Sequence, residues 1–351
     1  MITRHLDSAR LRVRAMLGLS LAAMLAAASP AHAQSDAVEQ FYKGRQLRLV
    51  IGYSVGGGYD IYGRIAAEFL GRYMPGNPTI IPQNMPGAGS MAAARYMFAA
   101  APRDGSVIAM LAQTLPVDTL VQGDKAGVDI TQLPYIGRLT SNVDFGQGRA
   151  DAKFKTFEDA RERELVVAAT AGASPANIFP TALNRFAGSK FKIIVGYPGS
   201  NDMLLALERG EVDLIGANGL ASTMVRNPDW ILKQQVPILY QASLKRHPLL
   251  AHVPTLEELG RDAEGKAVLR AIASSSEFGR SLMTTPGIPA ERLAALRKAM
   301  QAMVTDPHFL AVMKERRIMI EPATGEELDQ LTVETSKLPK SVVAMIAQML
   351  K

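Results

Sequence analysis

The chain has no cysteine, a single tryptophan and only five histidines, at positions 5, 32, 247, 252 and 308, in 351 residues. Without cysteine there can be no disulfide framework, thiolate zinc site, iron–sulfur cluster or cysteine nucleophile. The histidines offer little for a metal centre: His247 and His252 stand five apart, off one helical face, with Pro248 between them. A dominant charge is also missing. Lys and Arg total 39 against 33 Asp and Glu, a formal +6 with no clustered basic face of the kind that binds nucleic acid. Apolar runs sufficient for repeated membrane spans are absent, yet 48% of residues are hydrophobic and 21% charged, too apolar for a disordered chain. What remains is a globular protein of about two domains.

Residues 1–33 read as a secretory leader. Arg4, Arg10, Arg12 and Arg14 make a basic start, residues 15–28 are an apolar stretch of mainly Ala, Leu and Met, and Ala31-His32-Ala33 gives a small-x-small cleavage pattern before Gln34. That stretch is shorter than the roughly 20 residues that cross a bilayer. No Cys is available for lipid attachment, and no adjacent Arg pair marks a twin-arginine route. Cleavage after Ala33 removes four Arg and Asp7, taking +3 from the formal +6 and leaving +3 on a mature chain of 318 residues. The expected location is the periplasm.

The mature chain alternates strand and helix patterns. Gln46–Ile51 reads as a buried strand, then Gly52-Tyr53-Ser54-Val55-Gly56-Gly57-Gly58-Tyr59-Asp60 as a glycine-rich turn, and Ile61, Ile65, Phe69, Leu70 and Tyr73 as one helical face. Short strands are expected at 79–81 and 107–111, with an Ala-rich helix between. The pattern returns with strands at 164–170, 191–195 and 211–218, a helix to about Phe186 containing Pro180, and a helix over 201–209 with Ser200 as N-cap and Gly210 as its stop. A strand at 237–240 and helices at about 290–304, 306–316 and 325–350 complete the chain. Pro180 belongs in a first turn or at a kink. The expectation is two α/β lobes with largely parallel sheets, joined by crossovers near 136–141 and 238–243 that form a hinge.

Three strand-to-helix turns are the features that suggest chemistry: 56–60, 171–175 and 198–201. Glycines let a ligand approach the backbone, and a helix N-terminus offers spare N–H groups and positive dipole. Turns from both halves facing one cleft would make a carboxylate or phosphate receptor that needs no cationic side chain. Asp60, Ser174, Ser200 and Asn201 read as helix-capping residues first and ligand donors second, and Tyr59 and Tyr197 stand beside the turns. Gly52-Tyr53-Ser54-Val55-Gly56 also matches the G-x-S-x-G elbow of serine hydrolases, but Ser54 lies about 20 residues into the mature chain, before the usual run of strands, and no HGGG-type segment accompanies it. The dinucleotide fingerprint fails because position 61 is Ile, and no Gly-Lys-Ser/Thr marks a P-loop.

The residues from Leu47 to Leu111 resemble the substrate-binding receptors of tripartite tricarboxylate transporters, the TctC or Bug-type solute receptors. The marks are Gly56-Gly57-Gly58-Tyr59-Asp60, Gln83-Asn84-Met85-Pro86-Gly87-Ala88-Gly89 and Ala101-Pro102-Arg103-Asp104-Gly105. They continue in order with Gly196-Tyr197-Pro198-Gly199, Gly210-Glu211-Val212-Asp213 and residues 253–260. The resemblance implies an α/β, type II periplasmic binding protein that closes on a small organic anion and delivers it to permease subunits. In that family a carboxylate is held by backbone groups and ordered waters, with few charged side chains. By position, the lobes are 34–138 plus 243–351 and 139–242, after a signal peptide over 1–33. The ligand residues are Ser54, Gly57, Gly58, Tyr59, Asp60, Gly172, Ala173, Ser174, Tyr197, Pro198, Gly199, Ser200, Asn201 and Asn218. No catalysis, metal, cofactor or nucleic acid is expected, and the chain is expected to be a monomer. Three departures stand out: Tyr59 where the family usually has a small hydroxyl residue, Pro198 where it usually has Lys or Arg, and Ser274–Thr285, before Pro286, where the family often carries a Trp. Other readings are a receptor presenting its ligand to a sensor protein and an exported serine hydrolase using Ser54.

Overall fold

Residues 30–170 and 174–350 are described by the computed structural model. Most of the leader therefore lies outside the described residues, and its expected cleavage junction falls within a helix, Pro30–Tyr42. The chain then builds four strands, β1 (Gln46–Ile51), β2 (Thr79–Asn84), β3 (Val107–Met110) and β4 (Tyr135–Arg138). It crosses to a second lobe with β5 (Asp144–Gly148), β6 (Leu165–Ala169), β7 (Phe191–Val195), β8 (Leu214–Gly219) and β9 (Ile238–Ala242). It returns to the first with β10 (Ser281–Thr284) and β11 (Ala323–Thr324).

The two sheets share one plan. The first runs β2-β1-β3-β10-β4 with β11 at its edge, and the second runs β7-β6-β8-β5-β9. In each, the fourth strand is antiparallel to both neighbours, while the pairs around β1 and β6 are parallel. The pairing reflects burial. Leu49, Val50 and Ile51 of β1 and Val167, Ala168 and Ala169 of β6 are fully buried, as strands covered by helices on both faces require. Those antiparallel strands, β5 and β10, are also the first that the chain forms after each crossing, so their leading ends lie at the junction of the lobes.

The crossing segments pair with each other. Leu139 N–H donates to the Arg280 carbonyl at 3.0 Å, Arg280 N–H to the Thr140 carbonyl at 2.9 Å, and Asn142 N–H to the Ser276 carbonyl at 3.0 Å. The return to the first lobe is thus made by 274–280, not near the 238–243 expected from sequence, where β9 is a strand of the second sheet. The reason is apolar: Leu256, Leu259, Val268, Leu269 and Ile272, from helices Leu256–Leu259 and Ala263–Ala273, are buried in the second lobe's core. Val342 and Ile346 of the last helix, Lys340–Met349, join that core too.

Other local departures have equally physical causes. The single helix expected over 325–350 is two, Gly325–Ser336 and Lys340–Met349, because Pro339 cannot continue the first and caps the second. Pro180 sits inside helix Pro175–Phe186, leaving the Ala176 carbonyl without its i+4 donor. Gly216 accommodates that carbonyl: a Cβ there would lie 2.0 Å from the Ala176 oxygen. Ser200 is the first residue of helix Ser200–Glu208, and Gly199, extended at φ −170°, takes the N-cap position expected of it. Gly210 follows that helix at φ +73°, donating to the Leu207 carbonyl as a C-terminal stop does.

Candidate functional site

Asp60 organises the turn after β1. Its carboxylate accepts from Gly56 N–H at 2.8 Å, Arg64 Nε at 2.9 Å and Asn84 Nδ2 at 2.9 Å. Burial pushes its pKa up, but Arg64, the Gly56 amide and Asn84 outweigh this and hold it below the usual carboxylate range. Its acceptors thus serve the protein, and the loop they hold leaves Gly57 and Gly58 at the start of helix Gly58–Phe69. Gly56 is left-handed at φ +83°. Gly58 is needed for closeness instead: a Cβ there would stand 2.9 Å from Ser222 Oγ and 3.1 Å from Arg280 Nη2.

Between the lobes lies a cavity with about 30 Å³ of free interior, room for a water molecule or two. Gly57 and Gly58 wall it from the first lobe, and Pro175, Ala176 and Ser200 from the second. Three helix N-termini therefore converge on it. Tyr53, Thr170, Met203, Ala217 and Gly219 complete most of the wall.

Its two charged residues come from the paired crossings. Arg280 precedes β10 and is 3% exposed, with its guanidinium carbon 3.8 Å from the centre of the Tyr59 ring. Tyr59 in turn stacks on Tyr53 at 4.5 Å between ring centres, and its hydroxyl accepts from Gln113 N–H at 3.0 Å. Arg280 is thereby pinned flat against an aromatic face. Its Nε and Nη1 are buried and have no hydrogen-bond partner among the described residues. Asp144 opens β5 and is 4% exposed. Its oxygens accept from Asn142 Nδ2 at 2.6 Å and Gln113 Nε2 at 3.0 Å. Burial pushes its carboxyl above the usual range, with Arg280 and Asn142 pulling the other way.

No family model matches the chain. In sequence it is 28% identical over 338 residues to a "UPF0065 protein in gbd 5'region" of Cupriavidus necator, covering 94% of this chain and 95% of that one. In structure it is similar to the periplasmic binding protein BugD, with a TM-score of 0.67 at 20% identity over 88% of this chain and 97% of that one. The chain has the fold of a Bug-type periplasmic binding protein. MatC from Rhodopseudomonas palustris, solved with bound malate, is as similar: TM-score 0.66 at 19% identity, over 88% and 99% of the two chains. The resemblance to TctC and Bug-type receptors carried by the motifs therefore stands.

Within this Bug-type fold the expected ligand residues divide into groups. Gly57, Gly58, Tyr59 and Ser200 line the cavity. Tyr197 and Pro198 line an adjoining hollow with Gly52, Pro86 and Thr170. Ser54, Gly199 and Asn201 form the seam where the lobes touch. The Ser54 hydroxyl lies 3.4 Å from Asp202 Oδ2, a Cβ on Gly199 would meet Ser54 Oγ at 2.1 Å, and Asn201 Nδ2 lies 3.5 Å from the Val55 carbonyl. Ser54 has no histidine partner among the described residues, so the base a hydrolase needs is not assembled around it. Ser174 caps helix Pro175–Phe186, its carbonyl accepting from the Asn177 and Ile178 amides. Asn218 gives its amide to Gln147 at 2.6 Å, while its neighbours Ala217 and Gly219 line the cavity. Gly172 and Ala173 lie outside the described residues.

Arg280 and Asp144 escaped the sequence reading, which expected a cation-free site. Arg280 sits within the run Ser274–Thr285, where an isolated Arg between Gly279 and the apolar strand Ser281-Leu282-Met283 is a usable signal. Asp144 falls at the start of a buried strand. A charged residue there is rarely incidental, because ionised side chains are seldom buried without a role. Pairing of the two crossings brings them together, and no spacing in the chain encodes that.

Proposed function

We propose that the chain is a solute-binding receptor that captures a small organic carboxylate between its lobes and delivers it to the membrane permease of a tripartite tricarboxylate-type transporter. The observation that carries this reading is Arg280: a buried guanidinium whose Nε and Nη1 have no partner among the described residues, in a cavity where three helix N-termini converge. A carboxylate placed there meets a full positive charge, dipole ends and main-chain donors from both lobes. Contacts from two lobes are made together only when the cleft is closed, so the ligand favours the closed state by its differential affinity for it. Binding without catalysis is the reading this supports, because the chemistry on offer is recognition and no nucleophile–base pair among the described residues faces the cavity. Malate bound in MatC is a ligand of the same chemical kind. Export by the leader over 1–33 places the receptor in the periplasm, and protein recovered from that compartment is expected to begin at Gln34.

The test is calorimetric titration of the mature protein with mono-, di- and tricarboxylates, alongside Arg280→Met. Binding of at least one acid is expected, with loss of about a hundredfold in the variant, as removal of a charge-assisted contact in a dry site predicts. No heat and no thermal shift with any carboxylate would overturn the reading.

A further inference from the structure

Gln113 stands outside the cavity wall, yet its contacts run to the groups that set the site. It is buried between the end of β3 and the start of helix Leu115–Gln122. Its main-chain N–H donates to the Tyr59 hydroxyl at 3.0 Å. Its side-chain Nε2 donates to Asp144 Oδ2 at 3.0 Å and lies 3.4 Å from the Asn142 carbonyl. Tyr59 belongs to the first lobe and carries the Arg280 guanidinium on its ring, whereas Asn142 and Asp144 belong to the crossing into the second lobe. That crossing also holds Arg280 by its main chain, through Arg280 N–H and the Thr140 carbonyl at 2.9 Å. The contacts close a ring, from Gln113 to Tyr59, to Arg280, to the crossing and back to Gln113.

We infer that Gln113 is a positioning residue for Arg280: without touching a ligand, it fixes both the ring on which the guanidinium lies and the crossing that carries it. The inference rests on the carboxylate-receptor reading above, in which Arg280 meets the ligand, and adds how that cation is held. Attraction between a cation and a ring face is weakly directional, so it keeps a guanidinium near the ring but lets it slide across. The ring itself therefore has to be anchored, and the Gln113 main chain anchors Tyr59 by its hydroxyl. The crossing is anchored by the same residue, because the donors of the Gln113 amide are engaged there in a buried setting, where such bonds are strong and support one another. A donor held in place before binding loses less freedom when the ligand arrives, and the affinity gains accordingly.

The experiment reads Arg280 directly, by phenylglyoxal modification of the ligand-free mature protein and mass spectrometry of its peptides, in the parent, Gln113→Met and Tyr59→Phe. The first variant keeps the side chain's length and removes its amide; the second keeps the ring and removes the hydroxyl that Gln113 N–H reaches. Arg280 is expected to react about tenfold faster in Gln113→Met and about threefold faster in Tyr59→Phe, the scale of one lost buried hydrogen bond. Arg209, which is exposed on the second lobe, is expected to react at one rate in all three. In calorimetric titration with mono-, di- and tricarboxylates, the acid that the parent binds most tightly is expected to bind about tenfold more weakly to Gln113→Met. The double variant is expected to lose about as much as Gln113→Met alone, as two links of one chain do. Equal Arg280 rates in the parent and both variants would overturn the inference. So would a rise shared by Arg209, which marks general loosening, or faster modification with unchanged affinity. If Gln113→Met does not fold, Tyr59→Phe decides by the same comparison. If no acid binds the parent, the carboxylate reading has failed, and the Arg280 rates still decide what holds the guanidinium.

Discussion

Gly57 and Gly58 look alike in a sequence, and the structure separates them. A Cβ on Gly57 would find its nearest neighbour, Ser200 Oγ, at 3.8 Å, an ordinary contact, whereas one on Gly58 would crowd Ser222 and the Arg280 guanidinium at 2.9 and 3.1 Å. Arg280 is stacked on Tyr59 and cannot retreat without losing that contact. Gly57→Ala is therefore expected to keep ligand affinity within about twofold, and Gly58→Ala to weaken it about tenfold with the fold intact, since alanine favours a first helical turn. Titration of both variants, with circular dichroism as the control, checks this; equal affinities would detach Gly58 from the site. Asp60 illustrates the opposite case. Its position beside three glycines invites a ligand role, but Gly56, Arg64 and Asn84 occupy its oxygens, and what it supplies is the shape of the loop.

At the level of elements, the last helix carries more than its place at the chain end implies. Lys340–Met349 packs on helix Ala263–Ala273 of the second lobe and on helix Leu115–Gln122. The latter itself sends Leu115 into the first core and Val117 into the second. The C-terminal helix is thus a third strut beside the two crossings. Ile346 is 1% exposed at its centre. Truncating it to Ala removes buried methylene groups and leaves a cavity, with an expected loss of about 2–4 kcal/mol. Urea unfolding of Ile346→Ala measures it, and a loss below about 0.5 kcal/mol would show that this helix is not part of the core.

For the molecule as a whole, the closed arrangement is held at the rim by Arg226. From the end of helix Leu220–Arg226 in the second lobe, its Nη2 donates to the Gly56 carbonyl of the first at 2.6 Å, and its Nη1 to Asn201. Such a bridge exists only when the cleft is shut, so it biases the hinge without touching the cavity floor. Arg226→Met is expected to enlarge the ligand-free molecule, read as an increased radius of gyration in solution scattering. It is also expected to raise the ligand Kd about three- to tenfold, the worth of one lost charge-assisted bond. Unchanged scattering and affinity together would remove Arg226 from the closing mechanism.

Much of this architecture was legible from the chain alone because it depends on local patterns. Buried strands announce themselves as Leu-Val-Ile runs, their turns by glycine, and helix starts by the capping residues beside them, so two α/β lobes and the three turns at 56–60, 171–175 and 198–201 follow from short-range rules. The resemblance to TctC and Bug-type receptors rests on short motifs of the same local kind, from 56–60 through 83–89 and 101–105 to 196–199, 210–213 and 253–260. What local pattern does not encode is which distant segments meet. Segment 274–280 pairs with 139–142 because the apolar faces of helices 256–259 and 263–273 first bury themselves in the second core and delay the chain's return. That delay brings Arg280 to the cavity instead of leaving it on a surface. The polarity of the site, one guanidinium and one carboxyl from residues 136 positions apart, is therefore a property of tertiary pairing, since burial and separation exist only once the two lobes have folded against each other.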